Sequence, residues 1–448
     1  MNKNLIISTS GIRGEYGRTL CEKDAFEFGT AFGLWCPEKN IVIGTDTRLS
    51  RDSLKLSFSA GLTSTGKNVI DTGIVPTPAI GFIIEQSGGL NGAVITASHN
   101  PRQYNGIKLF SSTGTFLNEE EFKEFIKIYE QRNNKKKQVC QLPGVFTSSG
   151  KEINKYFDAI LKLIDTSAIK KRKFKVVIDP CQGVGAIWTK DFLEKLGCNV
   201  IAINQSHPGI FSRNPEPTKE NLGELAEKVS EEKADIGFAQ DPDCDRLVMV
   251  DEKGNVVSEE YGVSFLIKHI LSTRKKGPVV VNLSTTMLVD DICRQMEVPL
   301  YRTKVGEMYV ATRMRKVDAA CGGEGNGGII YPEFHYGRDS FIGIGLALEC
   351  LSSGNRTLSA CINEFPVYHF VKEKRQVSPG KAEKIFTKLK NKFQDGYISE
   401  EDGLKISFPE VWFQLRISGT EPVIRIFFEG KSLEKIQGIK DTIYSLFQ

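Results

Sequence analysis

Short runs of β-branched and aliphatic residues recur along the chain, and each is followed by a polar turn and a segment of helical period. Three of these runs begin similar units: Ile41 to Asp46, Val176 to Pro180 and Val279 to Ser284. A run of this length before a turn predicts a buried strand. The segments that follow, such as Asp191 to Leu196 before Gly197, predict helices. Because strands and helices alternate, we expect three α/β units with parallel or mixed sheets.

The last part of the chain has a different pattern. Three short strand-like runs, Leu404 to Phe408, Trp412 to Arg416 and Val423 to Glu429, precede a helical segment that starts at Leu433. This pattern predicts a small α+β domain. The charged segment from Val371 to Pro379, which precedes the runs, is expected to be a linker.

The expected fold class is therefore α/β, with three similar mixed-sheet domains and a smaller α+β domain at the carboxyl end. A chain of 448 residues exceeds what one hydrophobic core usually organises. The predicted domains are 1–150, 151–255, 256–368 and 369–448. A polar, basic stretch from Gln131 to Lys137 predicts a solvated helix end or loop near the first boundary.

Composition excludes several classes of protein. Apolar residues make up 40% and charged residues 25%, as in ordinary globular proteins. A formal charge of +4 gives no case for a nucleic-acid partner. No run of about 18 apolar residues occurs, and the first residues do not resemble a signal peptide, so we expect a cytoplasmic protein without a membrane partner. The ten cysteines show no metal-binding spacing and are expected to be reduced thiols.

A serine stands in the loop Thr96 to Pro101, directly after the apolar run Ala93 to Ile95. A strand thus delivers Ser98 to a tight polar turn. Such a serine can simply form the turn, and the loop alone does not distinguish this from a catalytic role. The segment Asn105 to Lys108 favours chemistry, because its ammonium group could reach the same loop as an acid, base or phosphate ligand.

Three aspartates alternate in the loop Asp241 to Arg246, between two strand-like runs. Carboxylates in this arrangement suit Mg²⁺ or Ca²⁺. An EF-hand is excluded because its loop needs glycine where Arg246 stands, and because a β-rich run follows. A solvated acidic turn is the alternative, but three neighbouring carboxylates repel one another unless a cation compensates them.

A third loop, Gly322 to Gly328, places five glycines around Glu324 and Asn326. A glycine-rich backbone lets a ligand approach closely, and the two polar side chains are suited to sugar hydroxyls. A plain turn between two strands is the alternative. His335 follows a few residues later and adds a titratable imidazole.

The fourth loop concentrates donors for an anion. It runs from Arg416 to Pro422, with Arg425 shortly after it. Two guanidinium groups, two hydroxyl groups and the backbone amides around a glycine can donate hydrogen bonds to a phosphate dianion. A plain β-turn would not need so many donors. The candidate phosphate-binding residues are Arg416, Ser418, Gly419, Thr420 and Arg425.

With these loops in this order, the chain resembles the α-D-phosphohexomutase superfamily, and within it the phosphoglucosamine mutase-like branch also found in archaea. The segment Ser8 to Gly14 resembles the amino-terminal active-site segment of that family, and the four loops resemble its phosphoserine, metal, sugar and phosphate loops. The resemblance runs nearly from end to end. It implies four domains around a central cleft.

The resemblance also implies roles for individual residues. Ser98 would be phosphorylated in the resting enzyme. Mg²⁺ would bridge this phosphoserine and the three aspartates of the metal loop, Asp241, Asp243 and Asp245. The other implied catalytic residues are Arg13, His99, Lys108 and Arg246. Glu324 and Asn326 would bind the sugar. For Lys108 we expect a lowered pKa, suited to acid–base work.

The implied activity is that of a phosphohexomutase, an isomerase of carbohydrate metabolism with a small sugar phosphate as its partner. It would interconvert hexose 6-phosphate and hexose 1-phosphate through a hexose 1,6-bisphosphate, which also primes the enzyme. Glucosamine phosphate is the favoured substrate, and a phosphomannomutase or phosphoglucomutase of broad specificity is the alternative. A metal-dependent phosphatase and a non-catalytic sugar-phosphate sensor are more distant alternatives.

The chain departs from the family pattern in two loops. The usual metal loop is Asp-Gly-Asp-Ala-Asp-Arg, but Pro242 and Cys244 stand in place of the glycine and the alanine. The usual sugar loop is Gly-Glu-x-Ser-Gly-His, but Asn326 and Gly328 stand in place of the serine and the histidine. All three carboxylates persist, so we expect metal binding to persist. Because Gly328 has no imidazole, the role of the family histidine is in doubt at that position. His335 is a hypothetical substitute for it.

Overall fold

The computed structural model describes residues 5–132, 142–354, 356–377, 379–417 and 423–447. Four sheets follow one another along the chain, each with its own helices. The basic stretch that begins at Gln131 is helical up to Arg132, and the rest of it lies outside the described residues.

The first sheet has seven strands in the order β1-β2-β6-β5-β3-β4-β7. Strands β3, β4, β5 and β7 pair in parallel, whereas β1, β2 and β6 are antiparallel additions. The elements of this unit are β1 (Ile6–Ser8), β2 (Gly11–Glu15), α1 (Glu22–Trp35), β3 (Asn40–Thr45), α2 (Arg51–Ser64), β4 (Asn68–Ile74), α3 (Thr77–Ser87), β5 (Asn91–Ile95), β6 (Tyr104–Phe110), α4 (Glu119–Arg132) and β7 (Phe146–Ser148).

The second sheet has the order β12-β11-β10-β8-β9, with a parallel centre and two antiparallel strands at one edge. Its unit contains α5 (Glu152–Leu163), α6 (Thr166–Arg172), β8 (Lys175–Asp179), α7 (Gly185–Lys195), β9 (Asn199–Ala202), α8 (Gly223–Glu231), β10 (Ile236–Gln240), β11 (Leu247–Val250) and β12 (Val256–Val257).

The third sheet repeats this mixed design in the order β14-β13-β15-β16-β17. Its unit contains α9 (Glu259–Thr273), β13 (Val279–Asn282), α10 (Leu288–Met296), β14 (Leu300–Thr303), α11 (Glu307–Val317), β15 (Cys321–Glu324), β16 (Gly328–Tyr331), β17 (His335–Arg338), α12 (Ser340–Ser352) and α13 (Leu358–Ile362). The three runs that predicted buried strands form β3, β8 and β13, so the expectation of three mixed-sheet α/β units is confirmed.

The last sheet is antiparallel, in the order β18-β22-β21-β20-β19. Its unit contains β18 (His369–Gln376), α14 (Pro379–Lys392), β19 (Tyr397–Ser399), β20 (Leu404–Ser407), β21 (Val411–Ile417), β22 (Val423–Gly430) and α15 (Leu433–Ser445). The α+β prediction is confirmed, but the segment Val371 to Pro379 is not a linker. Most of it forms β18, an edge strand paired along its whole length with β22.

Packing separates the last unit from the others. One apolar cluster runs through the first three units and includes Ile80, Tyr156, Phe238 and Phe341, whereas the terminal unit has a cluster of its own. The three α/β units therefore form one packed body, to which the terminal domain is attached. The predicted boundaries at 150/151, 255/256 and 368/369 stay predictions.

Two further expectations concern the thiols and the membrane. The nine cysteines within the described ranges are all free, and most are buried. Among the described helices, none has the length and apolar character needed to cross a membrane.

Candidate active site

Ser98 lies just beyond β5, in a left-handed backbone conformation with φ +49°. Its side chain is buried, and its Oγ donates a hydrogen bond to Oδ2 of Asp241 at 3.0 Å. Its backbone N–H donates to Oγ1 of Thr96 at 3.0 Å. The strained turn therefore points the serine of the first unit at the aspartate loop of the second.

Arg48, which the sequence reasoning missed, holds this turn in place. It is buried beside Asp46, to which its Nε donates at 3.0 Å. Its other donors reach four backbone carbonyl groups of the serine loop and of the residues that follow it. The acceptors, at 2.6 to 2.8 Å, belong to Ser98, Asn100, Pro101 and Tyr104. An acid two residues before an arginine, directly after a buried strand, is the sequence signal that could have indicated it.

The three aspartates of the metal loop are buried, and one oxygen atom from each can be chosen so that all three lie within 4.8 Å of one another. Oδ2 of Asp243 accepts hydrogen bonds from Thr77 at 2.6 Å and from Lys108 at 2.7 Å. Oδ2 of Asp245 accepts from Lys108 at 3.0 Å and from the guanidinium of Arg338 at 2.8 Å. The protein thus fixes one oxygen of each of these two carboxylates.

The second oxygen of the same carboxylates has no such partner. Oδ1 of Asp243 and Oδ1 of Asp245 are buried and accept no hydrogen bond from any residue that the structure describes. A buried carboxylate oxygen without a donor is costly unless a cation binds it. The residues therefore fit a hard divalent cation, for which carboxylate oxygens are the preferred ligands.

Burial and mutual repulsion govern the acidity of the loop. Burial, together with the charges of Asp245 and Asp243, raises the pKa of Asp241 well above its usual range. Burial alone would also raise the pKa of Asp245, but Arg338 and Lys108 outweigh it and hold that pKa well below the ordinary value. The cations around the loop thus compensate only part of its charge.

Lys108 is the central cation of this cluster. Burial alone would lower its pKa, but the charges of Asp243 and Asp245 outweigh burial, and the pKa is raised. The expected lowering is therefore not found. Lys108 carries its proton in this arrangement and places a positive charge between the two aspartates.

Arg13, His99 and Arg246 lie at the serine and metal loops. Nη1 of Arg13 donates to Oδ1 of Asn100 at 3.3 Å, and Nδ1 of His99 lies 3.3 Å from Oγ of Ser98. Burial, followed by the charges of Arg246 and Arg13, lowers the pKa of His99 well below its usual value, so its imidazole is neutral. The structure brings all three side chains next to the serine and metal loops.

Glu324 is the last residue of β15, and Asn326 lies in the turn between β15 and β16. Oε1 of Glu324 accepts hydrogen bonds from Asn282 at 2.9 Å and from the N–H of Gly306 at 2.8 Å. Its Oε2 lies 3.3 Å from Nη1 of Arg338. Oδ1 of Asn326 is buried without a hydrogen-bond donor among the described residues. The loop therefore presents an acceptor that a ligand can satisfy.

His335 does not take the place of the histidine that the sugar loop lacks. Its Nε2 lies 2.9 Å from Asp339, and its Nδ1 accepts the N–H of Gly337 at 2.9 Å. Tyr156 donates to the same oxygen of Asp339 at 2.7 Å. Both ring nitrogens are thus engaged in a buried structural network.

Only part of the candidate phosphate loop is described. Arg416 and Arg425 are paired residues on β21 and β22, and Nε of Arg416 lies 2.9 Å from Asp402. Asp402 also accepts the N–H of Val305, at 2.9 Å, in the third unit. Ser418, Gly419 and Thr420 lie outside the described residues. The two arginines are therefore adjacent, on the side of the terminal domain that contacts the third unit.

Known proteins share this organisation. Models of the phosphoglucomutase/phosphomannomutase family match most of the chain: α/β/α domain I matches residues 4–136, domain II 154–254, domain III 260–368 and the C-terminal domain 371–446.

Individual relatives agree with the family models. A phosphoglucomutase/phosphomannomutase of Thermococcus kodakarensis is 38% identical over 96% of this chain and 95% of its own. A phosphoglucosamine/phosphogalactosamine mutase of Sulfurisphaera tokodaii is 33% identical over 95% of each. A crystal structure of a phosphoglucomutase/phosphomannomutase family protein from Burkholderia thailandensis, 26% identical, superposes with a TM-score of 0.84 over 98% of this chain and 97% of that one. The chain belongs to the phosphoglucomutase/phosphomannomutase family.

Proposed function

We propose that this chain is a phosphohexomutase that interconverts hexose 6-phosphate and hexose 1-phosphate with Ser98 as the phosphate carrier. The observation that carries the proposal is the position of Ser98, whose Oγ lies 3.0 Å from Asp241 at the edge of a buried three-aspartate cluster. A serine that only formed a turn would not need this strained and charged setting.

The residues that would hold Mg²⁺ are the three aspartates together with Ser98, with Asp243 and Asp245 offering the oxygens that accept no hydrogen bond from the described residues. The ion would neutralise negative charge on the phosphoryl group during transfer. Lys108 and Arg13 add positive charge beside it. Such preorganised charge is what phosphoryl transfer requires, because a phosphate monoester dianion repels nucleophiles.

In the transfer step, the bond between phosphorus and the Ser98 oxygen breaks while a bond to the free hydroxyl oxygen of the sugar phosphate forms. We assign Lys108 the role of giving a proton to the leaving serine oxygen, since it is a protonated ammonium group beside the metal loop. His99, neutral and 3.3 Å from that oxygen, is placed to accept the proton of the sugar hydroxyl. The product is a hexose 1,6-bisphosphate.

The bisphosphate must then turn over, so that its other phosphate faces Ser98. We propose that the terminal domain holds whichever phosphate is not reacting, through Arg416, Ser418, Gly419, Thr420 and Arg425. Arg246 would assist at the transfer site. A grip far from the reacting atoms supplies alignment, and closure of the terminal domain would keep the intermediate from water.

Glucosamine phosphate is the proposed substrate. The acceptor oxygens of Glu324 and Asn326 suit a donor-only ammonium group at carbon 2, and Oδ1 of Asn326 is buried without a donor from the described residues. A broad phosphomannomutase or phosphoglucomutase activity is the second candidate, because the relative with 38% identity carries those names. Neither substrate requires a nucleic-acid or membrane partner, and we propose a cytoplasmic location.

Initial rates test both levels of the proposal. The chain is assayed with the 6-phosphates of glucosamine, glucose, mannose and N-acetylglucosamine, with Mg²⁺ and the matching bisphosphate. We expect isomer formation with all hexoses that bind and the highest kcat/KM with glucosamine. Release of phosphate without isomer would instead indicate a phosphatase, and a higher kcat/KM for glucose or mannose would support the second candidate.

A further inference from the structure

Arg338 ends β17 and joins two loops that the sequence treats separately. Its side chain is 9% exposed and lies among three carboxylates. Its donors lie 2.8 Å from Asp245 of the metal loop, 2.8 Å from Glu307 at the start of α11, and 3.3 Å from Glu324 of the sugar loop. One planar guanidinium therefore contacts acids from two different units, and its side-chain contacts join the metal loop to the sugar loop.

Gly328 makes room for this arrangement. A Cβ atom at position 328 would lie 2.2 Å from Cδ and 2.7 Å from Cγ of Arg338. Contacts this short require one group to move. Because position 328 has no side chain, the aliphatic part of Arg338 fills the space next to the sugar loop. The two residues therefore form one structural unit.

The contacts also place Arg338 in competition with a cation. A guanidinium hydrogen-bonded to Oδ2 of Asp245 lies next to Oδ1 of the same carboxylate, which accepts no hydrogen bond from the described residues and lies 3.8 Å from Nε of Arg246. Its positive charge lowers the attraction of that carboxylate for a second cation. The same group lies 3.3 Å from Oε2 of Glu324 as an ion pair, and so adds to the hydrogen bonds from Asn282 and Gly306 that orient the acid that the proposed function assigns to the sugar.

We propose that Arg338 is a positioning residue that lowers the affinity of the metal loop for Mg²⁺ while it holds Glu324 for the sugar phosphate. The inference rests on the proposed function for the identity of the sugar ligand. It gives a signature that a merely structural role does not give. Loss of the guanidinium tightens Mg²⁺ binding and weakens sugar binding at the same time, whereas general loosening of the site weakens both.

Two variants separate charge from geometry. Arg338→Met removes the charge at similar volume, and we expect its Mg²⁺ dissociation constant to fall about tenfold while that of glucosamine 6-phosphate rises about tenfold. Arg338→Lys keeps a charge without the planar fork. Here we expect Mg²⁺ affinity close to that of the wild type and the same loss of sugar affinity.

A third variant reaches the same group without altering it. Gly328→Ala pushes Arg338 away from the sugar loop and leaves its charge in the protein. We expect weaker sugar binding from this substitution. Arg172→Met is the matched control, because Arg172 of α6 pairs with Asp235 at 3.3 Å, away from both loops. It should change neither affinity.

Calorimetry with MgCl₂ alone, and with glucosamine 6-phosphate alone, measures both constants without catalysis. Circular dichroism and thermal unfolding of each variant establish that it folds. Unchanged or weaker Mg²⁺ binding in Arg338→Met, with folded protein, overturns the proposal, as does unchanged sugar binding in Arg338→Lys and Gly328→Ala together. Lack of isomerisation by the wild type would overturn the proposed function instead, and the Mg²⁺ titration would still decide the competition.

Discussion

The backbone of Ser98 shows how one residue can serve function at the expense of stability. A non-glycine residue at φ +49° is strained by contact between Cβ and its own backbone. The carbonyl of Ser98 is held by Arg48, and its hydroxyl by Asp241. Strain of this kind persists only where the surrounding contacts enforce it. A turn in this conformation would favour glycine, so the serine at position 98 is explained by its side-chain chemistry and not by the turn.

Substitution of Ser98 should therefore separate activity from stability. Both Ser98→Ala and Ser98→Gly remove the proposed phosphate carrier, and we expect mutase turnover to fall by several orders of magnitude in each. Since glycine relieves the left-handed strain and alanine does not, Ser98→Gly should be more stable than Ser98→Ala by about 1 kcal/mol. A coupled isomerase assay and denaturant unfolding measure the two effects.

Ser59→Ala is the control for that pair. Ser59 is buried in α2, and its Oγ has no hydrogen-bond partner among the described residues. It should retain wild-type turnover. Near-normal turnover of Ser98→Ala would contradict the carrier assignment.

At this scale, the sequence predicts residues whose chemistry is local. Ser98 and the aspartates stand out because each loop carries its signal within six residues. The roles of Arg48 and Arg338 do not stand out in this way, because most of the groups that they contact are brought to them only by the fold. Arg338, for example, contacts Asp245 across a separation of 93 positions. For the same reason, the sequence alone allows His335 as a substitute for the histidine that is absent at position 328. The fold shows that both ring nitrogens of His335 are engaged, with Asp339 and Gly337.

Elements of the first unit pack closely where glycines face each other. Helices α1 and α2 cross so tightly that a Cβ atom on Gly29 would lie 2.1 Å from the carbonyl oxygen of Phe58. A Cβ atom on Gly61 would lie 2.3 Å from the carbonyl oxygen of Phe26. Since backbone atoms cannot move aside as a flexible side chain can, these two positions fix the distance between the helices.

Gly61→Ala should therefore destabilise the protein although alanine is the better helix former. We expect a loss of about 1 to 3 kcal/mol from overpacking. The matched control is Gly438→Ala in α15, where an added Cβ meets nothing within 4 Å. This change should stabilise by about 0.5 to 1 kcal/mol through helix propensity. Denaturant unfolding of both variants checks the contrast, and equal effects in the two helices would refute the close-contact argument.

The elements that the sequence predicts well are those with one clear periodicity. Strand β3 is a run of buried aliphatic residues, so it is visible without tertiary information. Strand β18 is not, because it lies at a sheet edge and its residues from Lys372 to Gln376 are mostly charged and exposed. A charged edge strand has the composition of a linker. Only its pairing with β22 reveals it.

At the scale of the whole molecule, a buried polar joint connects the terminal domain to the third unit. Glu429 of β22 accepts hydrogen bonds from Thr286, from the N–H of Met287 at 2.7 Å and from Trp412 at 2.7 Å. Ser284 also bonds Gln414 across the joint at 2.8 Å. Because the two bodies have separate apolar cores, these polar contacts determine how the terminal domain is held.

Glu260, at the start of α9, makes this joint sensitive to pH. Burial raises its pKa to about 8, and the nearby charge of Glu429 adds to the effect, while Lys372 opposes it. The folded protein therefore keeps a proton on Glu260 that the unfolded chain loses near its ordinary pKa. A group with a raised carboxyl pKa destabilises the fold progressively as pH rises from about 5 to about 8.

The substitution Glu260→Gln should remove this loss of folding stability at higher pH. The amide retains an oxygen that can accept the N–H of Thr286, which donates to Glu260 at 3.0 Å. We expect the variant and the wild type to have similar stability near pH 5. The variant should then gain relative stability up to about pH 8, above which the difference becomes constant. Thermal unfolding midpoints across this range provide the measurement, and a difference that does not vary with pH would contradict the raised pKa.

The proposed grip on the distant phosphate depends on the same joint. Arg416 is paired with Asp402, and Asp402 also binds the backbone N–H of Val305, so the guanidinium is oriented relative to the third unit before any ligand arrives. Hydrogen bonds to charged groups contribute about 1.5 to 3 kcal/mol each. Arg416→Ala should therefore raise KM for the sugar phosphate roughly 10- to 100-fold. The decrease in kcat should be smaller, because Ser98 and the metal loop are untouched.

Arg375→Ala is the control, since Arg375 stacks on Tyr444 in the same domain, 4.3 Å from the ring centroid. Steady-state kinetics should show an unchanged KM for the control, and an unchanged KM for Arg416→Ala would remove that residue from the phosphate grip.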